Sequence, residues 1–401
     1  MADAVLVLNA GSSSLKFAVF GAGSLCSDLH MNGEIASDPE GFRFVARDAV
    51  KKEILTDQRV SAAGAASLPA AMGQIISWIE QHLGSDVLVA AGHRIVHGGP
   101  HYLEATLISD AVLQDLEALT PLAPLHQPAS LAPVTALKSA RPDLRQVACF
   151  DTAFHATLPE AETRIALPDS YLEGGIRRYG FHGLSYTYQA EQLKRRHPDL
   201  AKGRVVVAHL GSGASLCALQ AGVSVSTTMG FSVLDGLLMA TRCGHIDPGV
   251  LLYLMRARQM TVSEVETLLY RKSGLFGISG GVSDMRALRQ EASSNAPARL
   301  ALNVFVRRLV RNIASQTAVL GGLDALIFTA GIGEHDAALR EEVCVALEWL
   351  GVRLDHDANQ EHHHIISTTH SPVTVLIEPA GEEVVICRQT MACLNQMQMS
   401  A

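Results

Sequence analysis

Two short apolar runs, Val-Leu-Val-Leu at 5–8 and Phe-Ala-Val-Phe at 17–20, are joined by Asn9-Ala10-Gly11-Ser12-Ser13-Ser14-Leu15-Lys16. Strand-length runs on either side of a small polar turn commit this segment to a β-hairpin. The tip gathers backbone N–H groups, three hydroxyls, an amide and an ammonium, which together can hold phosphoryl oxygens. The spacing is neither a Walker loop nor a Rossmann fingerprint. Taken alone, a Ser-rich turn is more often an ordinary hairpin loop.

A second hairpin echoes the first. A strand at 204–210 ends in Gly211-Ser212-Gly213-Ala214-Ser215 and returns through 216–220 and 223–227. A duplicated α/β unit with two phosphate-facing hairpins is the economical reading. With 401 residues the chain exceeds one comfortable core, so two domains are expected.

The remaining composition narrows the class. No apolar run approaches the roughly 18 residues of a membrane span, and no signal-peptide pattern is present, so a cytoplasmic protein without membrane partners is expected. A net charge of −8 argues against a nucleic-acid partner. Seven cysteines, none in a Cys-x-x-Cys pair, read as buried thiols of a reducing compartment. His362-His363-His364 reads as a solvated loop rather than a metal site, because consecutive residues do not readily face one ion.

Along the chain, small residues at 61–71 lead into a helix at 72–81, and a buried strand at 87–91 runs into Gly92-His93-Arg94-Ile95-Val96-His97-Gly98-Gly99. Charged residues after an apolar strand, followed by glycines, sit at pocket rims. The proline-rich stretch 121–128 delays the next helix to 129–139. A strand at 147–150 ends in Asp151, for which acid/base or metal-linked work and a helix cap are equally open. A helix at 185–196, helices up to 269, a glycine-rich turn at 277–282 and a long helix at 298–320 follow; Leu300, Val304, Leu309, Ile313 and Leu320 mark its apolar face. A strand at 325–329 opens into Ala330-Gly331-Ile332-Gly333-Glu334-His335 and a helix at 337–350, where a nucleotide can approach backbone closely. After a strand at 373–377, the closing segment to 395 reads as helical and able to fold back on the first domain.

Seven motifs together resemble the acetokinase family over essentially the whole chain. They are Leu-Asn-Ala-Gly-Ser-Ser-Ser-Leu-Lys-Phe at 8–17, Gly-His-Arg-Ile-Val-His-Gly-Gly at 92–99, Phe-Asp-Thr-Ala-Phe-His at 150–155, Arg-Tyr-Gly-Phe-His-Gly at 178–183, His-Leu-Gly-Ser-Gly-Ala-Ser at 209–215, Thr-Arg-Cys-Gly at 241–244 and Phe-Thr-Ala-Gly-Ile-Gly-Glu at 328–334. The resemblance implies an α/β fold with the duplicated core of the actin, Hsp70 and sugar-kinase superfamily. It implies two domains with a cleft between them: 1–150 with about 384–401, and a nucleotide-binding domain at 151–383. The implied activity is reversible, Mg2+-dependent phosphoryl transfer from ATP to acetate, with Mn2+ as an alternative ion, in a homodimer. Alternatives are a propionate or broad short-chain acyl kinase and a nucleotide-binding regulator. A sugar kinase would call for an aspartate base, which two arginines and a small apolar pocket do not suit.

By the same resemblance, Arg94 and Arg242 flank the phosphoryl group, His182 donates to its oxygens, and Asp151 orients the metal's water or Arg94. Asn9 and Glu382 match the metal-associated positions, with Glu383 as the neighbouring alternative. Val96, Leu125, Phe181 and Val233 line the acyl pocket beside His126. Ser12, Ser14 and Lys16 lie near the phosphates, and His209, Leu210, Gly211, Ser212, Gly213, Asp284, Met285, Arg286, Gly331, Ile332, Gly333, Glu334 and His335 match the adenosine and phosphate contacts. The sequence departs from the family's common residues at Ser212, Met285 and His335 on the nucleotide side, at Val233 on the acyl side, and at Gln127, Leu184, Tyr186 and His245.

Overall fold

The computed structural model describes residues 3–11, 14–23, 26–38, 41–60 and 68–400. Ser12 and Ser13, and the stretch 61–67, lie outside the described residues. The chain divides into two compact units, Met1–Phe154 with Gly381–Ala401, and His155–Ala380.

Unit 1 carries an eight-stranded sheet. Its strands are β1 (Asp3–Ala10), β2 (Ser14–Gly21), β3 (Leu29–Asp38), β4 (Gly41–Asp48), β5 (Ile54–Val60), β6 (Val87–Ile95), β7 (Thr106–Leu107) and β8 (Arg145–Phe150), in the order β5-β4-β3-β2-β1-β6-β8-β7. The hairpin expected at the first motif forms, with Asn9 opposite Lys16. Strands β1, β6 and β8 run parallel. β1 is buried at six consecutive positions, Ala4 to Asn9, as a strand covered on both faces must be. Leu6 and Leu8 pack with Met72, Ile75 and Ile79 of helix Leu68–His82, and helix Glu382–Ser400 also packs on β1, β6 and β8. Gly92 permits that approach, since a Cβ there would collide with Thr390 Oγ1 and lie 2.7 Å from Ile386 Cγ2. The closing helix begins at Glu382.

Unit 2 carries a five-stranded sheet of β9 (Arg204–Leu210), β10 (Ala214–Gln220), β11 (Val223–Thr227), β12 (Ala325–Thr329) and β13 (Thr374–Ile377), in the order β11-β10-β9-β12-β13. An antiparallel meander leads into two parallel strands. The stretch β3-β2-β1-β6-β8 of unit 1 has the same order and the same directions. The duplication suggested by two similar turns is thus a duplication of strand topology.

Several local expectations change. Arg94 lies inside β6 rather than after it, because the strand continues along its parallel neighbour β8 as far as Ile95. The helix expected at 129–139 starts at Gln127, with Pro128 in its first turn, where a missing N–H costs nothing. The glycine-rich turn at 277–282 is in part helix Gly274–Ser279, and the turn proper begins at Gly280 with φ +82°. Helix Ala296–Leu320 buries Leu309, Ile313 and Leu320 as expected, together with Ala298, Leu302 and Phe305, whereas Leu300 is 54% exposed.

The cysteine reading also needs correction. Cys26 and Cys387 form a disulfide across 361 residues, while Cys149, Cys217 and Cys344 are buried thiols and Cys243 and Cys393 are partly covered. Burial pushes the Cys149, Cys217 and Cys344 thiols up to about 12, which removes them from thiolate chemistry near neutrality. Of the histidine run, the His363 ring pairs with the exposed Glu361, whereas His362 accepts from Arg340 and His364 meets His197 at 2.9 Å. The loop is tied into unit 2 at two points.

Three other histidines are buried as neutral rings. His155 donates from Nε2 to the Phe181 carbonyl and accepts from Ser224, and burial depresses its pKa to about 4 against a smaller opposing effect of the Phe181 bond. Burial holds His93 and His97 at about 4 as well. Folded-state values below the ordinary 6.5 mean that the unfolded chain takes up protons first as pH falls. This stabilisation is complete above about pH 6.5 and is lost towards pH 4. Urea unfolding at pH 4.5 should show a free energy lower than at pH 7.5 by roughly 2–3 kcal/mol per histidine. A pH-independent midpoint over that window would contradict the burial of neutral rings.

Candidate active site

In unit 1 the parallel order of β1, β6 and β8 brings three distant motifs to one sheet edge. Asn9 lies near the end of β1, Arg94 near the end of β6, and Asp151 directly after β8. Arg94 donates to Asp151 Oδ2 from Nε at 2.9 Å and from Nη2 at 2.6 Å, and from Nη1 to Asn9 Oδ1 at 3.2 Å. Asn9 Nδ2 in turn donates to Glu382 at 2.8 Å and to Glu383 at 3.2 Å. Both glutamates occupy the first turn of helix Glu382–Ser400, where the helix dipole favours negative charge.

Asp151 is 1% exposed, and the Arg94 side chain only 17%. Burial alone would lower the Arg94 pKa, but Asp151 foremost, then Glu382 and Glu383, outweigh it and raise the value. The guanidinium is therefore a permanent cation. Three carboxylates face one arginine, so this group has a formal charge of −2, and it offers hard oxygen donors of the kind Mg2+ takes. Among the described residues no three His, Cys, Asp or Glu side chains are arranged to hold an ion by themselves.

Of the other unit 1 positions, Lys16 is exposed on β2 opposite Asn9, and the Ser14 side chain lies outside the described residues, like Ser12. Val96 is buried just after β6, Leu125 is 37% exposed, and His126 is the residue preceding helix Gln127–Ala140. Gln127, one of the departures from the common pattern, is fully buried. It accepts from the His97 N–H and donates to the His97 and Leu116 carbonyls, fixing the backbone beside Val96.

In unit 2, β9 and β12 are parallel neighbours with His209 opposite Thr329, so their two glycine turns emerge side by side. A Cβ on Gly211 would lie 3.8 Å from that of Ala330, with open space around Gly331. A Cβ on Gly213 would stand 2.5 Å from Arg242 Nη2 and 3.4 Å from His182 Nε2, which places both side chains against this turn. Arg242 Nη1 donates to the Val233 carbonyl at 2.7 Å, so Val233 meets Arg242 through its backbone. The Ala240 N–H donates to the Ser212 carbonyl and ties the two segments together.

His182 precedes helix Gly183–Arg196 with φ +60°, a strained value for a non-glycine residue. Its Nδ1 is hydrogen-bonded to Ser215, which is also bonded to Tyr186, and its ring stacks on His209 at 4.1 Å. His209 is held by Ser185 at 2.9 Å. Tyr186, another departure, thereby sets the orientation of His182 through Ser215. Leu184 is fully buried beneath, and Phe181 is buried with its carbonyl on His155. His245 is 85% exposed and 3.9 Å from Asp235.

The remaining nucleotide-side positions lie on two helix starts. Asp284 caps helix Met285–Glu291, with Met285 buried and Arg286 exposed. Gly331, Ile332, Gly333, Glu334 and His335 form helix Ala330–His335, entered through Ala330 at φ +65°. Burial raises the Glu334 pKa despite the opposing effect of His335.

Sequence reasoning missed the residue that fixes this turn. Arg340 is fully buried and donates to the carbonyls of Gly333, Glu334 and Asn359, to Asn359 Oδ1 and to His362. Burial lowers its pKa to about 10, with Asp336 opposing. The clue was its place at i, i+3 and i+4 with the buried Val343 and Cys344, a charge on an apolar face. Arg340→Leu should lower the unfolding free energy by about 3 kcal/mol, because several buried acceptors lose their donor at once. A change below about 0.5 kcal/mol in urea titration would show that the turn does not depend on it.

The model of the acetokinase family matches residues 4–388. An acetate kinase of Methylocella silvestris is 44% identical, over 99% of both chains. An acetate kinase of Nitrobacter hamburgensis is 46% identical over 98% of this chain and 96% of its own. Among solved structures, a propionate kinase from Francisella tularensis superposes with a TM-score of 0.88 at 34% identity, covering 96% and 98% of the two chains. An acetate kinase from Porphyromonas gingivalis superposes with a TM-score of 0.86 at 34% identity, covering 98% and 100%.

Proposed function

The chain belongs to the acetokinase family, and on that premise we propose that it transfers the γ-phosphoryl group of ATP to acetate, giving acetyl phosphate and ADP, reversibly. The observation that carries the reading is the fixed Arg94 cation beside Asn9, Asp151 and Glu382. Acetate is already ionised at neutral pH, so no strong base is required. The difficulty is bringing an anionic acceptor to an anionic donor, which makes positioning and charge neutralisation the main work.

In this mechanism an acetate oxygen attacks the γ-phosphorus in line, the bond to the β–γ bridging oxygen breaks, and ADP leaves with the electron pair. Arg94 and Arg242 each present planar N–H donors to the equatorial oxygens, and His182 donates a further hydrogen bond. Asp151 is a positioning residue that acts through Arg94. Asn9 and Glu382, with Glu383 alongside, would hold Mg2+, which when bound neutralises phosphate charge. Gly211 to Gly213 and Gly331 to His335 would carry the nucleotide at the carboxyl ends of β9 and β12, where parallel sheets bind ligands.

Two further features complete the reading. None of the residues of helix Pro248–Ala257 is buried, although Val250, Leu252 and Tyr253 are apolar; a second copy covering this face would make a homodimer. Phosphoryl transfer from ATP to a small carboxylate suits a cytoplasmic enzyme.

A hydroxamate assay with ATP, Mg2+ and either acetate or propionate tests the reading. Acetate should be preferred by about tenfold in kcat/KM, the discrimination one methylene supplies. Arg94→Ala and Arg242→Ala should each lower turnover by about 100-fold or more, with unchanged circular dichroism. Wild-type rates in both variants would refute the site, and a propionate preference would move the substrate up by one methylene.

A further inference from the structure

The outward face of helix Ala296–Leu320 carries a concentration of positive charge that the proposed reaction does not use. The helix contains Arg299, Arg307, Arg308 and Arg311 and no acidic residue, in a chain whose net charge is −8. Arg307, Arg308 and Arg311 line a groove of about 360 Å3 with Asn303 and Val304. Among the described residues no carboxylate pairs with any of these three arginines. Some arginines elsewhere in the protein are matched by carboxylates: Arg289 by Asp336 and Glu342, Arg204 by Asp324, Arg141 by Glu80 and Asp143.

Like charges one helical turn apart, as at Arg307 and Arg311, repel, and the neighbouring Arg308 adds to the field. Arg308 donates to neutral acceptors, the carbonyls of Cys243 at 2.9 Å and His245 at 3.4 Å. Guanidinium forks match planar carboxylate and phosphate oxygens, and the groove lies at the lower end of small-ligand pocket sizes. We propose that this groove binds a small multivalent anion bearing two or more carboxylate or phosphate groups. Arg308 is shared between the groove and the segment that follows Arg242, so a bound anion would draw on the same guanidinium that steadies that segment.

Calorimetric titration of the full-length protein with tricarballylate and, separately, with inorganic pyrophosphate tests this, with ADP at saturation and no divalent metal. Arg307→Gln/Arg311→Gln leaves every proposed catalytic and nucleotide residue in place. Affinity for one probe should fall by at least about tenfold in the double variant, and by less in Arg311→Lys, which keeps the charge but not the fork. The probe affected identifies the carboxylate or the phosphate class. Equal affinities in wild type and double variant, or no binding of either probe, would overturn the proposal. So would a double variant that sediments as a smaller species than wild type, because the arginines would then be serving a second copy of the chain.

Discussion

Removing a guanidinium from water costs several kcal/mol unless charge and geometry compensate it, and the edge of the unit 1 sheet is organised around meeting that cost for Arg94. Asp151 takes two of its N–H groups, Asn9 takes another, and the amide of Asn9 passes the link on to Glu382. This network requires β1, β6 and β8 to be parallel neighbours. It also requires the chain to return at residue 382 to supply a helix start. The fold-back of helix Glu382–Ser400, its close approach at Gly92 and the disulfide from Cys387 to Cys26 all serve the same closure.

The two units apply one topology to different tasks. In each, an antiparallel meander ends beside two parallel strands, and the candidate site residues lie at or just after the carboxyl ends of those strands. Unit 1 places charges there, whereas unit 2 places glycine turns, with strained backbone at His182 and Ala330. Such strain persists only where the surroundings over-determine it. Around His182 those surroundings are Ser215, Tyr186 and His209; at the end of the turn after Ala330 they include Arg340.

How much was readable in the sequence follows from how local each feature is. Apolar runs ending in small polar turns identify β1, β2, β9, β10, β11 and β12 because alternation and turn chemistry are contained within a few residues. The motifs contain Asn9, Arg94 and Asp151, the family resemblance adds Glu382, and only the fold shows that these four form one hydrogen-bonded chain. Features that depend on a distant partner escaped. Cys26 and Cys387 are 361 residues apart, Gln127 reads as a substitution until its bonds to His97 appear, and Arg340 looks like one more surface cation. The face of helix Ala296–Leu320 was read correctly at Leu309, Ile313 and Leu320 and missed at its start, where Leu300 and Val304 are apolar without being core.

Asp151 is proposed to work by holding Arg94. A double-mutant cycle on acetyl phosphate formation, with Asp151→Asn, Arg94→Ala and the pair together, tests it most directly. If the carboxylate acts through the guanidinium, the double variant should be no slower than Arg94→Ala alone, within a factor of about two. Rate losses that multiply, with each variant folded, would show that Asp151 has an independent role and would contradict the account.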